Sequence, residues 1–233
     1  MPIFQKNHRM GYFIHIPKTA GTSVTQMLRN IGCMVALDGG HIRDVKHFNG
    51  AIKQSKLLES IHEKSPCNPQ HIHKELYDCI IDHSKIDFNF TVMRDPIERI
   101  YSEYHWIRRR YSISPKYACG GTYDMSKHVT TDNFSEWLEN MKRCYDEYPY
   151  VWDNHLRNQS QYILDDTKIF RFDQLGKIMD YLNESLQINH NAVPLPHLNM
   201  RRKNKPINIS DEDKELIRNW YKDDYELYHS IED

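Results

Sequence analysis

The chain has 233 residues, a formal net charge of -1 and 27% charged residues, a length that predicts one domain spanning residues 1–233. A net charge this close to zero excludes a general attraction to nucleic acid, so no nucleic-acid partner is expected. No apolar run is long enough for a membrane span, and the 5 cysteines lack zinc-type spacing. We expect reduced thiols and a cytoplasmic location, or the Golgi lumen if the chain is a fragment of a longer protein.

The first predicted element is a strand over residues 12–16, an apolar run that ends at Pro17. After a short loop, a helix is expected because apolar side chains recur at helical spacing. These side chains are Val24, Met27, Leu28 and Ile31.

A second strand, Phe88–Met93, leads into a helix whose start is well marked. Asp95 fits the N-cap, Pro96 the first helical position and Glu98 the third, which together predict a capping box. The buried face of this helix would consist of Ile97, Ile100, Tyr101 and Tyr104.

The later elements continue the alternation of strands and helices. A helix is predicted over residues 134–145, and a strand over residues 168–172 precedes a helix capped by Asp173. The last helix is predicted to begin at Ser210, with Asp213 as its third residue.

Each predicted strand leads into a helix, and parallel strands need such crossovers. The fold class is therefore α/β, with a central, mostly parallel sheet flanked by helices and with ligands at the carboxyl ends of the strands. The long connections over residues 38–50 and 111–132 are expected to be functional.

The loop HIPKTAGTSV (residues 15–24) has the parts of a phosphate-binding loop in an unusual order. In the common loop G-x-x-x-x-G-K-[ST] the lysine follows the second glycine, but here Lys18 precedes Gly21. Free N–H groups at the start of the next helix would bind an anion. Lys18 would stabilise charge on the atom that bridges the phosphate and the transferred group. The Lys-Ser/Thr pair that organises Mg²⁺ is missing, so no metal ion is expected.

A second anion site is predicted where the strand Phe88–Met93 ends. Arg94 follows this strand, and Ser102 lies on the next helix, so both could meet one further anion. The alternative for Arg94 is a surface ion pair with Glu98. Arg99 lies one helical turn after Asp95, and we expect it to form a helical ion pair rather than a ligand contact.

The segments PKTAGTS and RDPIERIYSEY resemble the phosphosulfate loop and the 3′-phosphate motif of sulfotransferases that use 3′-phosphoadenosine 5′-phosphosulfate (PAPS). The resemblance is to the sulfotransferase family 2 type, in particular its carbohydrate or heparan sulfate 2-O-sulfotransferase branch. Weaker similarity extends to residues 153–164, 195–199 and 223–228. The resemblance implies a P-loop-like three-layer fold, with PAPS as the sulfate donor and adenosine 3′,5′-bisphosphate as the product.

The resemblance also implies roles for individual residues. The 5′-phosphosulfate would be held by Lys18, Thr19, Ala20, Gly21, Thr22 and Ser23. Arg94 and Ser102 would hold the 3′-phosphate. The basic loop at 197–206 is similar to the loop that closes over the nucleotide in this family. Its candidates for a contact with PAPS are Arg201, Arg202 and Lys203.

The segment NPQHIHKEL supplies the candidates for a general base. His71 and His73 alternate in an apparent strand and would share a face, and an H-x-H pair precedes the R-D-P motif in the carbohydrate branch. Histidine suits proton transfer at neutral pH. The alternatives are a solvent-facing pair without a role and a metal site, although no further zinc ligand is spaced nearby. His41 is the reserve candidate, whereas His15 is expected to be structural, on the side of Phe13.

The acceptor is indicated by two basic clusters, at residues 108–110 and 201–203. If they border the nucleotide site, they suit an anionic acceptor such as a uronic-acid polysaccharide; the alternative is a solvated surface. Loop tyrosines could stack on sugar rings or anchor the loop. They are Tyr111, Tyr117 and Tyr123.

The predicted function is that of a PAPS-dependent O-sulfotransferase. It would transfer a sulfuryl group to a carbohydrate hydroxyl by in-line displacement, with a histidine as the base and Lys18 stabilising the leaving phosphate. The alternatives are a P-loop-type nucleotide kinase and a catalytically inactive nucleotide-binding module. The sequence predicts no oligomeric state.

Overall fold

The computed structural model describes residues 2–39, 47–48, 50–53, 67–113, 131–190 and 207–231, with only the backbone described for 110–113. Its strands are β1 (Ile3–Lys6), β2 (Arg9–Ile14), β3 (Met34–Ala36), β4 (Phe88–Met93) and β5 (Lys168–Arg171). Its α-helices are α1 (Gly21–Asn30), α2 (Lys74–Ile80), α3 (Pro96–Ile113), α4 (Phe134–Glu147), α5 (Ile178–Ser185), α6 (Asp211–Trp220) and α7 (Lys222–Ser230). Short 3-10 helices cover Pro69–His71, His83–Lys85, Gln159–Tyr162 and Phe172–Lys177.

The strands form a mixed sheet in the order β3-β1-β2-β4-β5. Its centre is parallel, because β4 runs parallel to both β2 and β5, and the α/β fold class is confirmed. β1 is antiparallel to β2 and to β3. The sequence does not predict this N-terminal hairpin. Its turn uses Asn7 and His8 with φ of 50° and 61°, and neither is the glycine that marks most such turns.

Side chains alternate between the two faces of the sheet, and both faces are buried. On β2, Phe13 packs in a core cluster with α1 and α5, whereas Tyr12 and Ile14 pack in a second cluster with α2. On β4, Phe90 and Met93 divide between the same two clusters. Helices therefore cover the sheet on both sides, which explains why its central strands are apolar throughout.

A further core cluster joins α3, α4 and α6, and includes Tyr104 and Trp137. α6 begins at the predicted residue, Ser210, which forms a capping box with Asp213. Asp213 also accepts a hydrogen bond from Ser135 Oγ at 2.8 Å, which ties α6 to the first turn of α4. This packing fixes the position of α3, from which several side chains of the candidate site project.

Two predicted helix starts differ in detail. Asp95 Oδ1 accepts from the Glu98 N–H at 3.0 Å, as predicted. The Glu98 carboxylate, however, accepts from Arg94 Nε at 3.2 Å and not from the backbone N–H of Asp95. Asp173 was expected to cap a helix, and this is wrong. It lies inside the 3-10 helix Phe172–Lys177, and its carboxylate pairs with the last residue of β5.

The expected helical ion pair of Arg99 is also wrong. Arg99 is 1% exposed, and its guanidinium donates to the carbonyl oxygens of His155 at 3.1 Å and Arg157 at 2.8 Å. It also lies over the ring of Tyr221, 5.0 Å from the centroid. The pairing rule applies to solvated helix faces, whereas this face of α3 is covered by segments that are distant in sequence.

Several predicted functional residues lie outside the described part of the chain, so their roles stay predictions. They are His41, Arg201, Arg202, Lys203, Tyr117 and Tyr123, together with the side chains of Arg110 and Tyr111. Within the described part, none of the helices combines the length and the apolar character that crossing a bilayer requires.

Candidate active site

The loop between β2 and α1 has a strained backbone. Lys18 and Ala20 both have φ of 70°, in the left-handed region that is costly for residues with a Cβ. The buried Thr19 hydroxyl donates to the Ile16 carbonyl at 2.8 Å, which closes the loop on itself. Because that hydroxyl is engaged, any contact from Thr19 to an anion would have to come from its backbone.

This loop leaves the start of α1 open. Ala20 is the N-cap, and α1 has neither a side-chain cap nor an acidic residue in its first turn. First-turn N–H groups have no partner within a helix, so those of Gly21, Thr22 and Ser23 are available at the positive end of the helix dipole. The side chain of Thr22 is exposed and that of Ser23 is buried. The geometry is that of an anion site.

Gly21 is a glycine because of its neighbour His15. A Cβ at position 21 would lie 2.0 Å from the His15 ring, a distance no real contact allows. His15 is 8% exposed and stacks on Phe13 with ring centroids 5.8 Å apart. It fills the space directly beneath the loop, so this residue, expected to be only structural, also supports the candidate site.

Buried histidines continue from this point. The ring of His71 lies 5.1 Å from that of His15 and 4.7 Å from that of His155; we call these residues the histidine cluster. Two of them have a carboxylate partner. His71 Nδ1 lies 2.8 Å from Asp153 Oδ2, and His155 Nδ1 lies 3.0 Å from Glu103 Oε2.

Sequence reasoning missed Glu103, Asp153 and His155. Asp153 and His155 belong to residues 153–164, a segment that resembles the family but predicts no role for either residue. That similarity was the available signal. Glu103 had none, because a glutamate in a helix is usually solvated, whereas this one is 1% exposed.

Burial sets the charge states in this region. It lowers the pKa of His71 to about 4, against the opposing hydrogen bond to Asp153, and it lowers the pKa of His15 well below its ordinary value. Burial alone would raise the pKa of Glu103, but the interactions with His155 and Lys18 outweigh it and the net pKa is lowered. At neutral pH, therefore, His15 and His71 are neutral and Glu103 is ionised.

Lys18 reaches the same region through Trp106 on α3. Its Nζ lies 5.2 Å from the centroid of the Trp106 ring, and that ring lies 4.7 Å from the ring of His155. Burial lowers the pKa of Lys18, while the charge of Glu103 opposes this shift. The structure thus brings the predicted leaving-group cation and the histidine cluster to the same end of the sheet.

Arg94, at the carboxyl end of β4, makes the alternative contact considered from the sequence. Its Nε lies 3.2 Å from Glu98 Oε2, and its guanidinium lies 4.3 Å from the centroid of the Phe172 ring. Ser102 is half-buried and follows Glu98 by one helical turn, which places both on one face of α3. An anion bound between Arg94 and Ser102 would therefore compete with Glu98.

The backbone of Arg94 is held by a buried amide. Gln159 accepts from the Arg94 N–H at 3.0 Å and donates to its carbonyl at 2.8 Å. Asp224, on α7, in turn accepts from the backbone N–H groups of Gln159 and Ser160, each at 2.8 Å. The end of β4 is thereby tied to the last helix.

The predicted strand that would align His71 and His73 is wrong. His71 ends the 3-10 helix Pro69–His71, and His73 is the N-cap of α2. A stretch this short does not distinguish a strand from a turn by alternation alone. His73 is 1% exposed, with Nε2 3.3 Å from Glu75 Oε2 and its ring 5.6 Å from that of Tyr150. Of the pair, only His71 belongs to the histidine cluster.

The structure does bring a carboxylate and a second histidine to His71. Ligand atoms of His71, Asp153 and His155 lie within 4.8 Å of one another, so the group could hold a metal ion. That limit is wider than the ~3.4 Å between ligand atoms around tetrahedral zinc, given Zn–N distances of about 2.1 Å. Both rings also already pair with carboxylates through Nδ1. We therefore treat these contacts as hydrogen bonds.

The basic cluster at residues 108–110 is only partly available to a ligand. Arg108 pairs with Asp132 and donates to the Tyr104 hydroxyl at 3.1 Å. The side chain of Arg109 is exposed, and its charge acts on Lys18. The arginines whose charges act on Lys18 are Arg109 and Arg94.

Fold and site together define an α/β protein whose parallel strands end at a candidate anion site. A family model described as Sulfotransferase family matches residues 3–229, and the chain belongs to this family. The match supports the family 2 type and sulfuryl transfer in general. Comparison with curated proteins and with solved structures gave no match in either set.

Proposed function

We propose that the protein transfers a sulfuryl group from PAPS to a hydroxyl of a carbohydrate, with a histidine as general base. The observation that carries this proposal is that the uncapped start of α1 contacts the histidine cluster. Gly21 has no side chain, so the ring of His15 packs directly against it. The candidate anion site thus lies next to buried, neutral imidazole rings. A protein that only bound a nucleotide would need no proton acceptor there.

The residues of the loop fit the donor. The N–H groups of Gly21, Thr22 and Ser23 would hold the 5′-phosphosulfate, because α1 has no competing side-chain cap. Arg94 and Ser102 would hold the 3′-phosphate, with Arg94 exchanging Glu98 for the ligand. When bound, PAPS supplies a sulfuryl group whose bond to the bridging phosphate oxygen breaks as the acceptor oxygen bonds to sulfur, and the electron pair stays on the phosphate.

Lys18 would stabilise the negative charge that develops on this oxygen. Its left-handed backbone and its contact with Trp106 hold it at the loop, and Glu103 supports its positive charge. A histidine of the site would take the proton of the acceptor hydroxyl, which needs a neutral imidazole before the reaction. The buried His71 and His15 are both neutral at pH 7.

A carbohydrate acceptor is supported by the resemblance of the motifs to the carbohydrate branch and by the charge around the loop. Burial lowers the pKa of Lys18 most, and the charge of Glu103 opposes this shift. The positive charges of Arg109 and Arg94 lower the pKa further. Positive potential of this kind attracts an anionic polymer such as a uronic-acid polysaccharide.

The donor is tested by calorimetric titration with adenosine 3′,5′-bisphosphate beside ADP and ATP, each with and without Mg²⁺. Contacts of Arg94 and Ser102 with the 3′-phosphate should add roughly 2 to 4 kcal/mol, or about thirtyfold or more in affinity. We expect a preference for the bisphosphate that does not depend on Mg²⁺. A preference for ATP with Mg²⁺ would replace this proposal with a nucleotide kinase.

The acceptor is tested with PAPS carrying ³⁵S and a panel of desulfated heparin, chondroitin, hyaluronan and neutral dextran. We expect label in at least one uronic-acid polymer and none in dextran. Bisphosphate binding without transfer to any member of the panel would support the inactive nucleotide-binding module instead.

A further inference from the structure

A run of left-handed residues precedes His155. Trp152, Asp153 and Asn154 have φ of 54°, 57° and 67°, although none is a glycine. This backbone region is unfavourable for residues with a Cβ, and successive residues rarely share it. Such strain persists where surrounding contacts determine it, and it clusters at functional sites.

The contacts of this turn converge on one residue. Asp153 Oδ2 lies 2.8 Å from His71 Nδ1, and Asp153 Oδ1 accepts from the backbone N–H of Asn68. Asn154 Nδ2 donates to the His71 carbonyl at 2.8 Å. Ring and backbone of His71 are thus held by successive residues of the turn, and Asn154 is itself fixed by Arg157 Nε at 2.6 Å.

The contact with Asp153 also sets the tautomer of His71. A carboxylate accepts a hydrogen bond, so Nδ1 carries the proton and Nε2 has the free lone pair. Nε2 has no hydrogen-bond partner among the described residues, and the ring is 5% exposed. The charged and titratable groups around this ring are Asp153, His15 and His155, with Glu103 beyond His155.

His73 lacks this arrangement. Its partner Glu75 has a side chain that is 86% exposed, so water weakens the contact. The other ring nitrogen, Nδ1, is buried without a partner among the described residues. Among the described residues, no left-handed turn contacts the backbone of His73.

We propose that His71 is the general base and that Asp153 is its positioning residue, held in place by the left-handed turn at residues 152–154. This inference rests on the sulfotransferase function proposed above. The proton of the acceptor hydroxyl moves to His71 Nε2 as the acceptor oxygen bonds to sulfur. The resulting imidazolium keeps its Nδ1–H on Asp153, which stays an ionised carboxylate and stabilises the new positive charge.

The test compares Asp153→Asn with the matched control Glu75→Gln, which removes the corresponding charge beside His73. With ³⁵S-labelled PAPS and desulfated heparin, or the best acceptor of the panel, Asp153→Asn should lower kcat by ~10²–10⁴-fold. KM for PAPS and the affinity for adenosine 3′,5′-bisphosphate should stay within about twofold. The ascending limb of the kcat–pH profile should move to lower pH, because the carboxylate no longer favours the protonated ring. Glu75→Gln should leave kcat and the profile unchanged.

The inference is overturned if Asp153→Asn keeps the wild-type kcat, if Glu75→Gln shows the larger loss, or if EDTA abolishes wild-type activity and Zn²⁺ restores it. A structural role alone would alter folding without moving the pH profile. Should Asp153→Asn fail to fold, ¹⁵N-histidine NMR of the wild-type protein decides, with His71 assigned by His71→Gln. A proton on Nδ1 is expected, and a proton on Nε2 contradicts the inference. The NMR measurement does not require PAPS. Failure of the proposed function would therefore be seen separately, as a lack of binding of adenosine 3′,5′-bisphosphate.

Discussion

Arg94 already pairs with the carboxylate of Glu98, so substitutions at Arg94 and at Glu98 test the role of Arg94 in different ways. The pair with Glu98 is a contact between neighbouring turns, and the Glu98 side chain is 61% exposed. Such a pair contributes little to stability in water. Its main consequence is that an anion bound by Arg94 would meet the negative charge of this carboxylate.

Substitutions at the two ends of this pair should therefore have opposite effects. We expect Arg94→Gln to weaken binding of adenosine 3′,5′-bisphosphate by about tenfold or more, because a charge-assisted hydrogen bond is lost. Glu98→Gln should strengthen binding, because the competing charge is removed. Calorimetric titration of both variants, with 5′-AMP as a ligand that lacks the 3′-phosphate, measures the difference. If Arg94→Gln had the same affinity as wild type for the bisphosphate, Arg94 would not be its 3′-phosphate ligand.

Lys18 allows a second prediction at the level of one residue. Lys18→Gln should lower kcat by ~10²–10³-fold, because charge on the leaving oxygen loses its stabilising cation. The exposed Lys74 pairs with the exposed Asp165 on the surface, so Lys74→Gln is a control for loss of one positive charge and should keep wild-type kcat. Steady-state kinetics with labelled PAPS compares them. Equal rates for the wild type and Lys18→Gln would remove Lys18 from the mechanism.

Among the elements, those with local signals were predictable. β4 and the start of α3 follow from an apolar run and from Asp95, and α6 follows from its capping box. The signals are local because caps and periodicity act over one or two helical turns. The signal of the N-terminal hairpin is weaker, since Asn7 is followed by His8 and not by the usual glycine.

The candidate site divides in the same way. The loop residues were predictable because the turn and the start of α1 form one continuous segment of the sequence. Asp153 and Glu103 reach their histidines only through tertiary packing, across 82 and 52 positions in sequence. Arg99 was misread for the same reason, because its partners come from a distant segment that covers α3. Contacts of this kind leave no periodic trace in one sequence.

The junction of β2 with α1 gives a prediction for an element as a whole. Gly21→Ala places a methyl group 2.0 Å from the His15 ring, so either the ring or the first turn of α1 must move. We expect the free energy of unfolding to fall by about 1–3 kcal/mol and bisphosphate binding to weaken with it. Gly176→Ala is the control, because nothing lies within 4 Å of a Cβ there.

Urea unfolding and calorimetric titration measure both effects. The double variant His15→Ala with Gly21→Ala should regain part of the nucleotide affinity, because the collision is removed. Independent, additive losses in the double variant would contradict direct coupling of the two positions.

For the whole molecule, buried histidines link folding to pH. The unfolded chain takes up a proton at His71 near its ordinary pKa of 6.5, whereas the folded chain does so only near a pKa of about 4. The unfolded state therefore binds more protons as the pH falls through this window, and stability falls with it. Burial lowers the pKa of His15 and His73 in the same direction.

We expect the free energy of unfolding to decrease as the pH falls from 6.5 towards about 4, with His71 contributing roughly 3 kcal/mol. Urea unfolding of the wild type and of His71→Gln over this range is the measurement. The variant should show a shallower decrease. Identical pH dependence of the two proteins would mean that His71 is not buried in its neutral form.

The close packing of His15 against Gly21 also limits which residues related sequences can carry at these two positions. An imidazole at position 15 and any side chain at position 21 cannot share the same volume, so position 21 cannot gain a side chain unless the imidazole or the first turn of α1 moves. Relatives that carry a larger residue at the helix start should carry a smaller one at the end of the strand. The two positions would then change together.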